Sequence, residues 1–349
     1  MSRLAETLTE LIEIPSETGD EEEITTALEF RLSRGLSMER LGNALVVGQR
    51  TSKPFFVLYG HTDTVPEQGN GTAVIRDGHM HGLGSSDMKA GLAVMLHLLE
   101  DEELRNGPFD VIGVFYDKEE GPADENGLED VLNGFPWLVE ADLSIVLEPT
   151  DLQVEVGCNG ALNADVLFEG QAAHAARPWL GDNAITKAGE WLAEMHQRPP
   201  ELVVVDGLEF REVFSVTRAD GGIANNVIPS RFVANVNHRF PPIYELADAE
   251  ARLRTICARA DEVVVKDRAP AAKVPVGNPH LTRLESLSGR GRSAKQGWTD
   301  VARLSGRGAP AVNYGPGEVA QAHQAGESVP LVNLDESLLV MRRFLAGEG

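Results

Sequence analysis

Residues 4–14 place apolar side chains at helical spacing and end at Pro15 and Ser16, which predicts an amphipathic helix. A second helix opens at residues 20–23, where an acidic first turn suits the helix dipole. Shorter runs rich in β-formers follow at 45–47, 54–58, 110–116 and 143–147, and each is predicted to be a buried strand. Between the second and third of these runs, a glycine-rich loop at 78–91 leads into a helix over 88–99. That helix is apolar nearly all round, so it is expected in the core. Strands alternating with helices predict an α/β domain, a mostly parallel sheet flanked by helices, with function at the carboxyl ends of the strands.

The pattern changes near Gly157. From there the chain reads strand (161–168), helix (183–196), strand (211–218), strand (231–240), helix (243–260), strand (262–266). This is the order of an α+β unit of split βαβ, ferredoxin-like type. Residues 270–279 form a proline-punctuated crossing, and from His280 the helix–strand alternation returns. A chain of 349 residues exceeds one ordinary core. The expected organisation is therefore a catalytic domain from 1–159 and 270–349, with 160–269 inserted as a second domain. The split order of that insert leaves an edge strand and an exposed helix for pairing with a copy of itself, so a homodimer through it is expected.

Composition narrows the class. A hydrophobic content of 42% and charged content of 24% are those of a soluble globular protein. With 31 Lys+Arg against 54 Asp+Glu the net charge is -23, which argues against nucleic acid or an anionic membrane as partner. The two cysteines, Cys158 and Cys257, make neither a disulfide framework nor a sulfur-rich metal site. The first residues lack the apolar core of a signal peptide, and no run approaches the roughly 18 apolar residues of a membrane span. The cytoplasm is the expected location.

Candidate chemistry lies where the strand-like runs stop. His61-Thr62-Asp63 follows 54–58. Residues two apart in extended chain share a face, so Asp63 is expected to fix the His61 tautomer while the other ring nitrogen binds a metal. Asp87 stands at the end of the glycine-rich loop, Glu119 and Glu120 follow 110–116, Glu148 follows 143–147, and His323 lies in the C-terminal segment. Two histidines and three or four carboxylates, with no sulfur, suit a pair of zinc-like divalent ions. A bridging carboxylate can hold such ions about 3.5–4 Å apart, sharing a water. A spare carboxylate can take that water's proton, and the adjacent Glu119 and Glu120 can divide the two roles. Each position has a plainer reading taken alone. An Asp at a helix start is ordinarily an N-cap, and Glu-Glu before Gly-Pro is ordinarily a solvated turn. His97, His196 and His280 read as surface or satisfied residues. His79 and His81 could hold a metal, although Asp87 is better placed. Five such stretches falling where strands end favour a site.

The order and spacing of His61-Thr62-Asp63, Gly84-Ser85-Ser86-Asp87-Met88-Lys89-Ala90-Gly91, Glu119-Glu120-Gly121, Glu148-Pro149 and His323 resemble the di-zinc aminoacylase/carboxypeptidase family of amidohydrolases. The resemblance spans essentially the whole chain, insert included. It implies that Asp87 bridges two divalent ions, zinc or else cobalt, with His61 and Glu148 completing one site and Glu120 and His323 the other. It implies Glu119 as general base, Asp63 as the residue orienting His61, and a cis peptide between Asp87 and Met88. In the insert, residues 170–178 resemble the family's loop whose histidine, here His174, reaches a neighbouring subunit's active site to stabilise an oxyanion. Asn225, Asn226 and Arg239 stand in segments that hold substrate carboxylate.

Within the family, residues 175–184, 297–304 and 314–317 resemble a branch that removes succinyl from diaminopimelate in lysine and cell-wall precursor synthesis. This implies N-succinyl-LL-2,6-diaminopimelate as substrate, and contacts to it from Thr299 and Gly315. The other main bacterial group of that branch carries two basic residues where this chain has Cys158 and Asn159, which leaves Arg177 and Arg239 as candidate anchors for the succinyl carboxylate. The alternatives are N-acetylornithine deacetylation, another aminoacylase or dipeptidase activity, and a non-catalytic binding role. The last is disfavoured because every implied ligand and Glu119 are present.

Overall fold

Ser2 caps the first helix, Arg3–Ile12, its hydroxyl accepting from the Ala5 N–H at 3.2 Å in a computed structural model that describes residues 2–348. The helix buries Leu4, Leu8, Leu11 and Ile12 and stops ahead of Pro15, whose ring disfavours helical backbone in the residue before it. Lys89–Glu100 is buried on nearly every side, from Ala90 through Leu96 and again at Leu98 and Leu99. It lies against Arg3–Ile12, the C-terminal helix Leu331–Leu345 and the strands Phe55–His61 and Asp110–Tyr116. A helix so enclosed needs no polar face, which is why its sequence shows none.

The chain divides into two compact units: residues 1–156, 274–293 and 303–349 form one, and 157–273 with 294–302 form the other. Residues 294–302, expected with the catalytic domain, group with the insert. The first unit is built on an eight-stranded sheet in the order Met38–Leu41, Ala44–Val47, Asp110–Tyr116, Phe55–His61, Leu143–Val146, Ala311–Asn313, Val154–Cys158, Arg292–Lys295. The four central strands, from Asp110–Tyr116 to Ala311–Asn313, run parallel. Ala44–Val47 and Val154–Cys158 join them antiparallel on either side. The sheet is thus parallel where it matters for the site and mixed at its flanks.

The second unit carries a five-stranded antiparallel sheet in the order Glu201–Val205, Leu208–Gly221, Arg231–Phe240, Gly160–Glu169, Glu262–Ala269. Without the outer Glu201–Val205 strand this is the ferredoxin-like order. Alternation along Arg231–Phe240 sends Phe232, Ala234, Val236, His238 and Phe240 into the core. The four apolar ones pack with Trp191 and Leu253 of the helices on that face.

Three predicted elements differ. The helix expected over 183–196 is two, Ala184–Lys187 and Gly189–Gln197, meeting at Ala188. The helix expected over 243–260 is Leu246–Ile256. Part of the glycine-rich loop, His79–His81, is a strand between Val74–Arg76 and Ser328–Pro330, a pairing with a segment about 250 residues distant that no local pattern signals.

Candidate active site

Parallel strands end on the same side of a sheet, and in the first unit four neighbouring strands do so. Register sets the levels: His61 pairs with Tyr116, Tyr59 with Val146, and Val146 with Asn313. Two to four residues beyond those ends stand Asp63, Glu119, Glu120, Glu148 and Gly315. Two glycines close the packing around Glu148. A Cβ on Gly91 would lie 2.3 Å from the Leu147 carbonyl oxygen, and one on Gly315 2.4 Å from the carbonyl oxygens of both Leu147 and Glu148. Any side chain at either position would push the helix or the neighbouring strand away from the carboxylate. Gly315 also exchanges hydrogen bonds with Thr150, its N–H donating to Oγ1 and its carbonyl accepting from it, both at 3.1 Å.

Five predicted residues converge here. His61 Nε2 lies 3.3 Å from Asp87 Oδ1 and 3.9 Å from Glu148 Oε1. His323 Nε2 lies 2.9 Å from Glu120 Oε2 and 3.7 Å from Asp87 Oδ2. Asp87 thus turns one oxygen to each histidine, the arrangement of a carboxylate shared between two ions. The peptide joining it to Met88 is cis. Met88, not Asp87, occupies the N-cap of the following helix. His323 is held in left-handed backbone at φ 61°.

Asp63 meets His61 through both its backbone and its side chain. The nearest partner of His61 Nδ1 is the Asp63 backbone carbonyl, at 3.0 Å, with the carboxylate at 3.4 Å. The carboxylate's own bonds come from Thr18 Oγ1 (2.9 Å) and from the N–H groups of Glu119 and Glu120 (3.0 Å each). It therefore holds the Glu119–Glu120 peptide as well as lying beside the Nδ1 edge of the His61 ring. Thr18 has no signal in the sequence, because its partner is 45 residues away.

Charge at the site favours a cation. Burial opposes protonation of His61, but hydrogen bonds to Asp63 and Asp87 and the charges of Asp63 and Glu119 raise its pKa well above the ordinary imidazole value. The Glu120 hydrogen bond and charge push His323 up to about 9. Carboxylates that draw protons onto both rings will equally draw a metal ion. Among the described residues, His61, Asp87 and Glu120 offer ligand atoms all within 4.8 Å of one another. The nitrogen and carboxylate donors fit divalent ions.

The remaining predicted residues lie in the second unit. His174 sits on Ala173–His174, paired antiparallel with Val227–Ile228, and the Asn225-Asn226 turn adjoins it through the bond from the Ala175 N–H to the Asn226 carbonyl (2.9 Å). His174, Arg177, Asn225 and Asn226 are all exposed. Arg239 is half-buried, its Nε donating to Asn237 Oδ1 at 2.9 Å, and burial holds its guanidinium below its usual value. Thr299 is buried, its carbonyl 3.9 Å from Cys158 Sγ. Of the plainer histidines, His97 meets Thr7 Oγ1 at 3.0 Å and His280 packs edge-on against Phe56 and Phe109.

The fold and the donor set at its strand ends define a metal-dependent hydrolase of amide bonds. Residues 57–347 match peptidase family M20/M25/M40, and the chain belongs to that family. A Mycobacterium tuberculosis protein assigned as a succinyl-diaminopimelate desuccinylase is 38% identical over 342 residues, 97% of this chain and 96% of that protein. The succinyl-diaminopimelate desuccinylase of Corynebacterium glutamicum is 34% identical over 352 residues, covering 96% and 94%. Among solved structures, Bacillus subtilis YXEP, a dinuclear metal binding peptidase of the M20 family, superposes with a TM-score of 0.71 at 18% identity, covering 99% of this chain and 97% of that one. The site is one for divalent metal ions. None of the described helices is long and apolar enough to cross a membrane.

Proposed function

We propose that the protein hydrolyses the amide of N-succinyl-LL-2,6-diaminopimelate to succinate and LL-2,6-diaminopimelate, as a cytoplasmic homodimer with two zinc ions in each site. The observation that carries this reading is 34–38% identity, over nearly the full length of both chains, to proteins named for that reaction. His61, Asp87 and Glu148 would hold one ion, and Asp87, Glu120 and His323 the other. Bound there, the ions supply Lewis acidity that acidifies water and polarises the scissile carbonyl. The Glu119 carboxylate accepts the proton of the attacking water and returns it to the departing amine nitrogen. Asp63 keeps the Glu119 peptide in place for both transfers.

The oxyanion is assigned to His174 of a second copy. Because the Ala176 N–H donates to His174 Nδ1 at 3.1 Å, Nδ1 is the acceptor nitrogen of that ring and Nε2 carries the hydrogen. A neutral imidazole presenting Nε2–H is the donor such a role needs. Arg177, Arg239, Asn225 and Asn226 would bind the carboxylates of the substrate, with Thr299 and Gly315 shaping its pocket.

The test is to load the protein with zinc and compare kcat/KM on N-succinyl-LL-2,6-diaminopimelate, N-acetylornithine and a set of dipeptides. The expected result is a preference of at least about 10²-fold for the succinyl substrate, the scale of pairing its extra carboxylate with a charged side chain of the pocket. Faster turnover of N-acetylornithine would assign the deacetylase reaction, and preference for a dipeptide would assign a peptidase.

A further inference from the structure

The turn from Gly84 to Asp87 directs three backbone N–H groups at one carboxylate. Glu327 Oε1 accepts from Ser86 (2.8 Å) and Asp87 (2.9 Å), and Oε2 accepts from Gly84 (2.9 Å). Converging amides of this kind form a cradle for an anion. Here a side chain of the protein fills it, from a position about 240 residues away and only 2% exposed. The backbone repeats the connection. The Gly82 N–H donates to the Glu327 carbonyl at 3.2 Å, and Ser86 Oγ accepts from the Glu318 N–H at 2.7 Å while donating to its carbonyl at 3.1 Å. Glu327 also closes the turn that follows His323, its N–H donating to the Gln324 carbonyl at 3.0 Å. One residue therefore joins the loop that carries Asp87 to the loop that carries His323.

A carboxylate suits the cradle better than any other side chain. It accepts at both oxygens and has lone pairs for three donors, whereas an amide offers one accepting oxygen and turns an NH2 towards the remaining N–H. An unfilled cradle would leave three buried donors without partners, and the turn would rearrange to reach water. Asp87 would move with it, because its own N–H is one of the three.

We propose that Glu327 is the positioning residue of the dinuclear centre: its carboxylate sets the place of Asp87, the ligand common to both ions, so that losing it weakens both metal sites together. This rests on the two-ion reading of the site. It differs from a role for His323 or Glu120, each of which serves one ion.

The experiment is a zinc titration of metal-free wild type, Glu327→Ala, Glu327→Gln and His323→Ala, read by competition with a chelating dye. Bound metal is counted by elemental analysis, and the metal-free proteins are melted by circular dichroism. Wild type should take up two ions per chain. Glu327→Ala should weaken both sites by about 10–100-fold, the usual effect of removing a group that orients ligands. His323→Ala should weaken one. Glu327→Gln should fall between wild type and Glu327→Ala, and its cobalt-loaded form should show shifted visible absorption bands, a signal that a purely stabilising residue would leave unmoved. The inference is overturned if Glu327→Ala binds both ions as wild type does, or weakens only one. Should Glu327→Ala fail to fold, Glu327→Gln decides the matter, and unchanged affinities with an unshifted cobalt spectrum would overturn it. Wild type taking up fewer than two ions would instead overturn the dinuclear reading, and this inference with it.

Discussion

Replacing Asp63 with Asn separates two roles that share one side chain. The carboxylate receives the Glu119 and Glu120 N–H groups on different oxygens, with Thr18 Oγ1 on the second. An amide of the same size keeps only one accepting oxygen. Thr18 can rotate its hydroxyl and accept from the new NH2, so the better choice points the amide oxygen at Glu119 and leaves the Glu120 N–H facing an NH2. One buried backbone donor is then unpaired, which costs about 1–3 kcal/mol. The bonds that survive also fall from charge-assisted to neutral strength, roughly half. A total near 2–4 kcal/mol is expected, and for a unit of this size that is a fall in melting temperature of about 5–15 °C. The His61 tautomer should persist, because the nearer partner of Nδ1 is the Asp63 backbone carbonyl, which the substitution leaves in place. Zinc affinity should accordingly fall by about tenfold or less. Turnover of the fully loaded enzyme should fall by about 10²-fold, the scale of a base displaced by about 1 Å. Calorimetric zinc titration, circular dichroism melts and kcat at saturating zinc measure the three quantities. Zinc binding lost by 10²-fold or more with kcat intact would show that the carboxylate serves His61 and not the Glu119–Glu120 peptide, and the reasoning would fail.

Glu119→Gln should retain both metals and lose about 10²–10⁴ in kcat, while Glu120→Gln should weaken one metal site; equal metal loss in the two would reverse the division of roles. In the second unit, Glu212 is fully buried against His238 Nε2 (2.8 Å) and Arg252 Nε (2.8 Å). Burial opposes its charge, but those partners hold its carboxyl below the ordinary value. Its contribution should therefore be fully present above about pH 4.5 and vanish as pH falls through the lowered value. Glu212→Gln should be less stable than wild type by about 1.5–3 kcal/mol at neutral pH, with the gap narrowing in urea melts as pH falls below about 4.5; a gap independent of pH would refute the charge argument. For shared catalysis, the heterodimer formed when His174→Ala and Glu119→Ala exchange subunits should regain up to about half the wild-type activity per site, although both parents are nearly inactive. Absence of recovery, with exchange verified, would place His174 in its own chain's site or in none.

Most of the candidate site residues were legible because they follow a short apolar run, and a buried strand that ends must hand its polar residues to the surface. His61, Glu119, Glu120 and Glu148 are all of this kind. Asp87 and His323, neither of which ends a strand of the sheet, were legible as donor types, and their roles came from the resemblance. The break of the predicted helix at Ala188 and the strand His79–His81 were not legible, because the first depends on how helices settle on a sheet and the second on a partner near residue 329. Local pattern likewise determined that two kinds of unit exist, while only packing showed that residues 294–302 belong with the second. Tertiary structure alone decided which atom of Asp63 meets His61, why no side chain fits at Gly91 or Gly315, and that Glu327 fills the cradle beneath Asp87. Periodicity and residue type record what a segment must bury, which is a property of neighbours in the chain. Hydrogen bonds between residues 45 or 240 positions apart depend on the register of parallel strands and the closeness of a helix to a sheet, and these are settled only when the whole core packs.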